Sequence, residues 1–145
     1  MRPFFMHRFE EPTAALLRVV AGLMFMQHGA QKLFGWLKPP DAPPGTVELM
    51  SQMGLAGVLE FFGGLLIVLG LFTRPVAFIL SGQMAFAYFM AHAPQSPFPI
   101  LNGGEPAVLF CFIFLYFSAR GGGRYSLDHA IFGRRAEADA RRLRI

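Results

Sequence analysis

His28, Lys32, Glu60 and His92 are the residues of this chain best suited to chemistry, because each is an ionisable group set inside or at the end of a segment otherwise rich in apolar residues. At membrane depth such groups are costly, face the interior of a helix bundle and mark functional sites by default. His28 and Lys32 lie one helical turn apart and share a face. Glu60 carries the opposite charge in a later apolar segment, where an unpaired charge is expensive, so a Lys32–Glu60 or His28–Glu60 pairing is expected. Together with Gln31, Asn102 and Glu105 these residues make up an outer polar layer. The layer suits a small polar headgroup such as a quinone carbonyl, with His28 or Lys32 donating a hydrogen bond and Glu60 managing a proton. A structural ion pair that fixes helix register accounts for the same residues equally well. Glu105, followed by Pro106, also reads as a carboxylate stabilised at a helix start. His28 and His92 could ligate haem or a metal from separate segments, but no further ligand pattern accompanies them and no metal site is expected.

Arg18, Arg74, Arg124 and Asp128 form a second, inner polar layer. Arg18 lies one turn inside the first apolar segment, where it can snorkel toward water or pair with Asp128 as the chain folds back after the glycines at 121–123. A structural latch between tail and bundle is the preferred reading. Trp36 on one side and Tyr116 and Tyr125 on the other fit interfacial aromatic belts.

The elements that must position these residues follow from composition. With 145 residues, 54% of them hydrophobic, 17 Phe and 8 Met, and a mean hydropathy of +0.44, the chain reads as one small membrane domain. Apolar stretches cover residues 14–35, 55–72, 76–91 and 107–119. The first two reach the ~17–25 residues of a spanning helix, and the last two need flanking residues or local thinning of the bilayer. The expected fold is all-α: an integral membrane four-helix bundle with short loops, a cytoplasmic segment at 1–13, the membrane domain at 14–128 and a basic cytoplasmic tail at 129–145. The first stretch follows Arg2, His7 and Arg8 in a signal-like charge order, but its length and the lack of a small-residue cleavage site make it an uncleaved first span.

Four spans put both termini on one side. Arg2, Arg8, Arg18, Arg74, Arg120, Arg124, Arg134, Arg135, Arg141, Arg142 and Arg144 fall on or near that side, which is 11 of the 13 basic residues, against Lys32 and Lys38 opposite. The positive-inside rule then places both termini and the Arg74 turn in the cytoplasm. The net charge of +4 comes largely from the tail, which favours topology and contact with membrane lipids over nucleic-acid binding. Cys111 is the single cysteine, so an intramolecular dithiol relay is excluded.

Proline-rich outer connections at 38–45 and 94–104 and a tight inner link at 73–75 agree with this topology, with Thr73 available to cap the third helix. The tail could form an amphipathic surface helix or stay disordered. Small residues recur every seven positions at Ala15, Gly22 and Gly29, and at Ala56, Gly63 and Gly70, spacing that lets helices approach closely. On the first helix Leu16, Val19, Leu23, Met26, Ala30 and Leu33 form an apolar stripe expected to face lipid. Glu60 shares its face with Gly57, Gly63 and Gly64 and should point inward. On the third helix Ala77, Ser81, Ala85, Tyr88 and His92 share a side. Gln83 projects from the opposite side, so either it meets another neighbour, as in a homo-oligomer, or that face assignment fails.

The run from Leu17-Arg18 to Gly22, followed by His28-Gly29-Ala30-Gln31-Lys32-Leu33-Phe34-Gly35, resembles the first helix of DoxX family membrane proteins. Glu60-Phe61-Phe62-Gly63-Gly64-Leu65-Leu66 and then Leu69-Gly70-Leu71-Phe72-Thr73-Arg74 resemble the second helix and its turn. Asn102-Gly103-Gly104-Glu105 and Tyr125-Ser126-Leu127-Asp128 resemble later signatures of the family, so the likeness runs from about Leu16 to Asp128 in order. The resemblance implies a four-helix inner-membrane protein of a family labelled as oxidoreductases, related to the DoxD subunit of thiosulfate:quinone oxidoreductase and linked to redox complexes with soluble partners. It transfers no catalytic residue. The chain lacks a redox cysteine pair and a dinucleotide-binding glycine fingerprint, so the expected role is a redox-associated subunit that binds quinone or another small amphipathic molecule while soluble partner proteins supply electrons. A non-enzymatic membrane scaffold and a small proton or solute transporter are the alternatives.

Overall fold

The computed structural model describes residues 8–133, and these are all-helical, with no strand among them. The first rod, α1 (Glu10–Phe34), opens with Glu10 and Glu11, whose charges suit a helix N-terminus, and closes at Gly35 in the left-handed conformation. The second rod runs from Gln52 to Leu69 as α2 (Gln52–Val58), a π-helical turn (Leu59–Gly63) and α3 (Gly64–Leu69). Ser51 starts it by accepting the Gly54 amide at 3.0 Å. The third rod is α4 (Thr73–Ala87) extended by a π-helical turn (Tyr88–His92). After the short α5 (Pro99–Asn102), the fourth rod is α6 (Glu105–Arg120), ended by Gly121 at φ 82°. A last π-helical turn covers His129–Gly133.

By length and composition, Gln52–Leu69 is the one helix among the described residues long and apolar enough to cross a membrane, with 18 residues of mean hydropathy 1.8. The 25 residues of α1 are interrupted by Arg18, Gln27, His28, Gln31 and Lys32, and the 16 residues of α6 fall short of the ~20 that a span needs.

The rods pack as two close pairs, the first against the second and α4 against α6. In the first pair Gly22 lies against Gly64 and Val68, and Gly29 against Gly57 and the Phe61 backbone, so a β-carbon at either glycine would collide with main chain. The second-rod stripe that meets α1 is therefore Gly57 and Gly64. The expected stripe of Ala56, Gly63 and Gly70 is divided, because Gly63 abuts Leu80 of the third rod and Gly70 meets α1 through the Arg18 side chain. The apolar stripe of α1 is likewise divided. Leu16 and Leu23 are exposed, but Ala30 is buried and Met26 packs over Gly64. Phe25, Ile67, Leu80, Phe114 and Phe117 fill the space between the pairs.

One end of the assembly carries the C-terminal end of α1 and the N-terminal ends of α2 and α6. The other carries the start of α1, the 70–73 turn and the glycines at 121–123. Residues 1–7 of the expected N-terminal segment and residues 134–145 of the tail, on which most of the expected amphipathic helix would fall, lie outside the described residues.

Candidate functional site

Lys32 Nζ donates to both carboxylate oxygens of Glu60, at 2.5 and 2.7 Å. Glu60 is 4% exposed, so the expected pairing is made and the carboxylate points inward. It sits in the π-helical turn of the second rod, a distortion that recurs at functional sites. Gln83 completes the group: its Nε2 donates to Glu60 Oε1 at 3.3 Å and to the Ala56 carbonyl at 3.4 Å. Since both partners only accept, the amide orientation is fixed and Gln83 Oε1 faces away from them. That oxygen is buried and finds no partner.

Gln83 is thus a site residue that projects from the opposite side of α4 to Ser81, which reaches the Cys111 carbonyl of α6, and it does meet another neighbour. On a straight α-helix nine residues separate Gln83 from His92 by about 180°. The π-helical turn Tyr88–His92 takes in one extra residue, which turns His92 back by roughly 100° toward the face of Gln83. The neighbour that Gln83 meets is Glu60 of the same chain.

These groups border a cavity of about 580 Å³. His28, Lys32, Glu60, Gln83 and His92 supply its polar part, and Phe25, Met84, Ala107 and Phe110 are among its apolar walls. His28 is exposed and stands edge-on to Phe110. His92 Nδ1 lies 3.0 Å from the Asn102 carbonyl oxygen. A carbonyl only accepts, so Nδ1 carries the proton and a neutral ring presents Nε2 as an acceptor. A ligand here would meet an ammonium donor, an imidazole acceptor and an apolar enclosure, the mix typical of sites for small organic molecules.

Three of the expected residues do not join the cavity lining. Gln31 donates to the Leu37 carbonyl at 2.9 Å and closes the turn after α1. Asn102 is buried, donates to the Ser96 carbonyl and accepts the Gly104 amide, both at 2.7 Å, so it shapes the turn whose carbonyl orients His92. Glu105 is exposed in the first turn of α6, and its neighbours Pro106 and Ala107 line the cavity instead. Short polar side chains beside glycine and proline shape turns as readily as they bind ligands, which is why the sequence alone did not separate these roles. Among the described residues no group of three or more His, Cys, Asp or Glu is placed to hold a metal ion.

At the other end the expected Arg18–Asp128 pair is not formed. Arg18 is 2% exposed and donates to two carbonyls, Gly122 at 2.5 Å and Tyr125 at 2.7 Å. Asp128 instead accepts the Phe72 and Thr73 amides at 2.7 and 2.8 Å. It caps α4 in place of Thr73, which is the first residue of that helix. Free helix-end amides offer a carboxylate a better partner than a guanidinium already occupied by carbonyls. Arg74 reaches the Arg120 carbonyl at 3.4 Å. The Arg124 amide donates to Glu11, which also pairs with Arg120 at 2.6 Å. The Arg124 hydrogen bond, against an opposing effect of burial and helped by the charge and hydrogen bond of Arg120 and the charge of Arg124, holds the Glu11 carboxyl below the usual carboxylate range.

The DoxX family model matches residues 13–93. The chain belongs to the DoxX family. It is 42% identical to an uncharacterized protein of Haemophilus influenzae, a match covering 90% of this chain and 93% of that one. It is 29% identical to the uncharacterized membrane protein Rv3486 of Mycobacterium tuberculosis, over 96% of this chain and 93% of the relative. The inner membrane protein YqjF of Escherichia coli is 26% identical, over 87% of this chain and 97% of its own. No solved structure matches. The Mycobacterium tuberculosis and Escherichia coli relatives are thus named as a membrane and an inner membrane protein, and the region matched to the DoxX model contains Arg18, Lys32, Glu60, Gln83 and His92.

Proposed function

We propose that this DoxX protein is a multi-pass inner-membrane subunit that binds a quinone or similar small amphipathic molecule in the Lys32–Glu60–Gln83 cavity and works with soluble redox partners. On this reading the four rods are the spans of a domain covering residues 14–128, both termini are cytoplasmic, and the cavity lies toward the outer face. The distribution of basic residues supports the orientation, and the names of the relatives support the compartment.

One observation carries the reading: the costly buried charge of Glu60 borders an apolar cavity of about 580 Å³ and is not enclosed in packed side chains. Its residues fit a quinone head. Lys32 can donate to a carbonyl, the Nε2 of His92 in its uncharged form can accept from a hydroxyl, and Phe25 and Phe110 offer aromatic surface. A bound quinone would supply two-electron, two-proton chemistry, while this chain supplies the enclosure and the polar contacts.

Quinone retained by protein purified from membranes, measured by mass spectrometry, tests the proposal. His28→Ala and Glu60→Gln should lower it about tenfold, the loss of one or two good hydrogen bonds, with membrane insertion unchanged. Wild-type retention in both folded variants would overturn it. A scaffold is the second reading, favoured by an ion pair complete without any ligand, and it predicts that both substitutions deplete folded protein in parallel.

A further inference from the structure

The cavity does more than open at the end of the assembly. His28, Gln52, Ala91 and Pro106 are exposed lining residues near that end. Met53, Leu55, Ile79, Gly82, Phe86 and Met90 also line it and are exposed, down the flanks of the second and third rods. Ile79 lies one helical turn beyond Gln83, away from the end that carries His92. Ile79 and Gly82 thus border the cavity and also reach the surface on its flank. The second and third rods meet closely where Gly63 abuts Leu80, and from there toward Gln52 and His92 a cleft runs between them.

Along the third rod the cleft wall is the stripe Ile79, Gly82, Gln83 and Phe86 of α4, whose spacing puts them on one face, continued by Met90 in the π-helical turn. Gly82 is the one member without a side chain, and a β-carbon built on it meets nothing within 4 Å. The wall therefore carries a notch between the Ile79 and Phe86 side chains, beside Gln83 and the Glu60 charge. Glycine is not needed there for backbone conformation, because Gly82 sits within an α-helix and has no positive φ. In the middle of a helix it costs about 1 kcal/mol relative to Ala. The notch is a gain of space and not a turn or a close helix contact.

We infer that the cleft between the second and third rods is a lateral portal, and that Gly82 sets the path by which the apolar chain of a membrane amphiphile leaves the cavity while its polar head stays at Lys32 and Glu60. This rests on the proposed reading of the cavity as a ligand site in a membrane protein, and it narrows the ligand class to molecules that carry a chain and arrive from the bilayer.

The test uses the full chain in lipid nanodiscs with a long-chain alcohol that bears a diazirine in its chain, photolysed and mapped by peptide mass spectrometry. In the parent protein the label should reach Met84 and Phe110, which are buried cavity walls, as well as Leu109 and Phe112, exposed residues of α6 outside the lining. Gly82→Leu should lower labelling at Met84 and Phe110 about tenfold, because the added side chain occupies the notch through which the chain would pass. Labelling at Leu109 and Phe112 should not change, and Gly82→Ala should behave as the parent. Absence of label at Met84 and Phe110 in the parent, or equal labelling there in a folded Gly82→Leu protein, overturns the portal. Added long-chain quinone separates the two proposals: displacement of the label supports both, and persistence of a Gly82-dependent label removes quinone while the portal stands.

Discussion

The two ends of this molecule both hold polar groups that apolar helices pay for, and they satisfy them differently. At the end near the glycines, Arg18 gives its hydrogen bonds to the Gly122 and Tyr125 carbonyls, and Asp128 takes the Phe72 and Thr73 amides. Peptide groups are the partners, so these side chains complete main chain that helix ends leave unpaired. At the cavity end, Lys32, Glu60 and Gln83 are joined chiefly to one another and border open space. Polar groups bound to backbone hold the fold in place. Polar groups bound to each other beside a cavity can change partners when a ligand arrives, which makes them the better candidates for function.

The largest expected effect separates the two modes directly. Lys32→Ala leaves Glu60, 5% exposed at its side chain, charged and stranded, at a cost of about 3–5 kcal/mol. Glu60→Ala should cost less, because the Lys32 side chain is 20% exposed and can reach water. The double variant should recover most of the loss, giving a strong coupling in thermal unfolding. Additive losses would mean that the pair is not a closed unit, and the contrast between the two ends would fail.

Asp128→Ala should come next, costing about 2 kcal/mol for two charge-assisted hydrogen bonds at a partly exposed site. No second side-chain substitution can restore it, since its partners are the Phe72 and Thr73 amides. Asp128→Asn keeps an acceptor and should recover part of the loss, and quinone retention should follow the parent in both. A selective loss of retention would show that the two ends are coupled.

This contrast also marks what the sequence could reveal. Lys32–Glu60 was legible because two opposite charges in apolar helices have few ways to be satisfied, and His28 and Lys32 had to share a face. The meeting of His92 with the face of Gln83 was not legible, because the π-helical turn at Tyr88–His92 changes helical phase without leaving a residue signature. The Arg18–Asp128 pair was the natural guess when only side chains could be counted. The true acceptors were the Gly122 and Tyr125 carbonyls, which every residue possesses and no sequence pattern marks. All-helical structure was plain from composition, whereas the Gly57 and Gly64 contacts depended on a helix rotation that a seven-residue repeat leaves ambiguous.

The smallest effect concerns pH and belongs to the backbone-bound end. Glu11 accepts from the Arg124 amide at 2.9 Å and from Arg120 at 2.6 Å, tying the start of α1 to the chain after the glycines. These contacts favour the carboxylate, so its pKa in the folded protein lies below the ordinary 4.5. A depressed carboxylate contributes stability that is fully present above the unfolded value and is lost as pH falls through the folded one. The contribution is modest because the Glu11 side chain is 37% exposed and its ion pair is screened by water. Exchange of the Arg124 amide, normalised to its intrinsic rate and followed from about pH 6 down to about 3, should therefore rise in acid. Glu11→Gln should raise it at the upper pH and flatten the profile, while the Lys32–Glu60 region is unaffected. A profile in Glu11→Gln as steep as the parent's would assign the acid response to another carboxylate and leave this joint resting on Arg18 and Asp128.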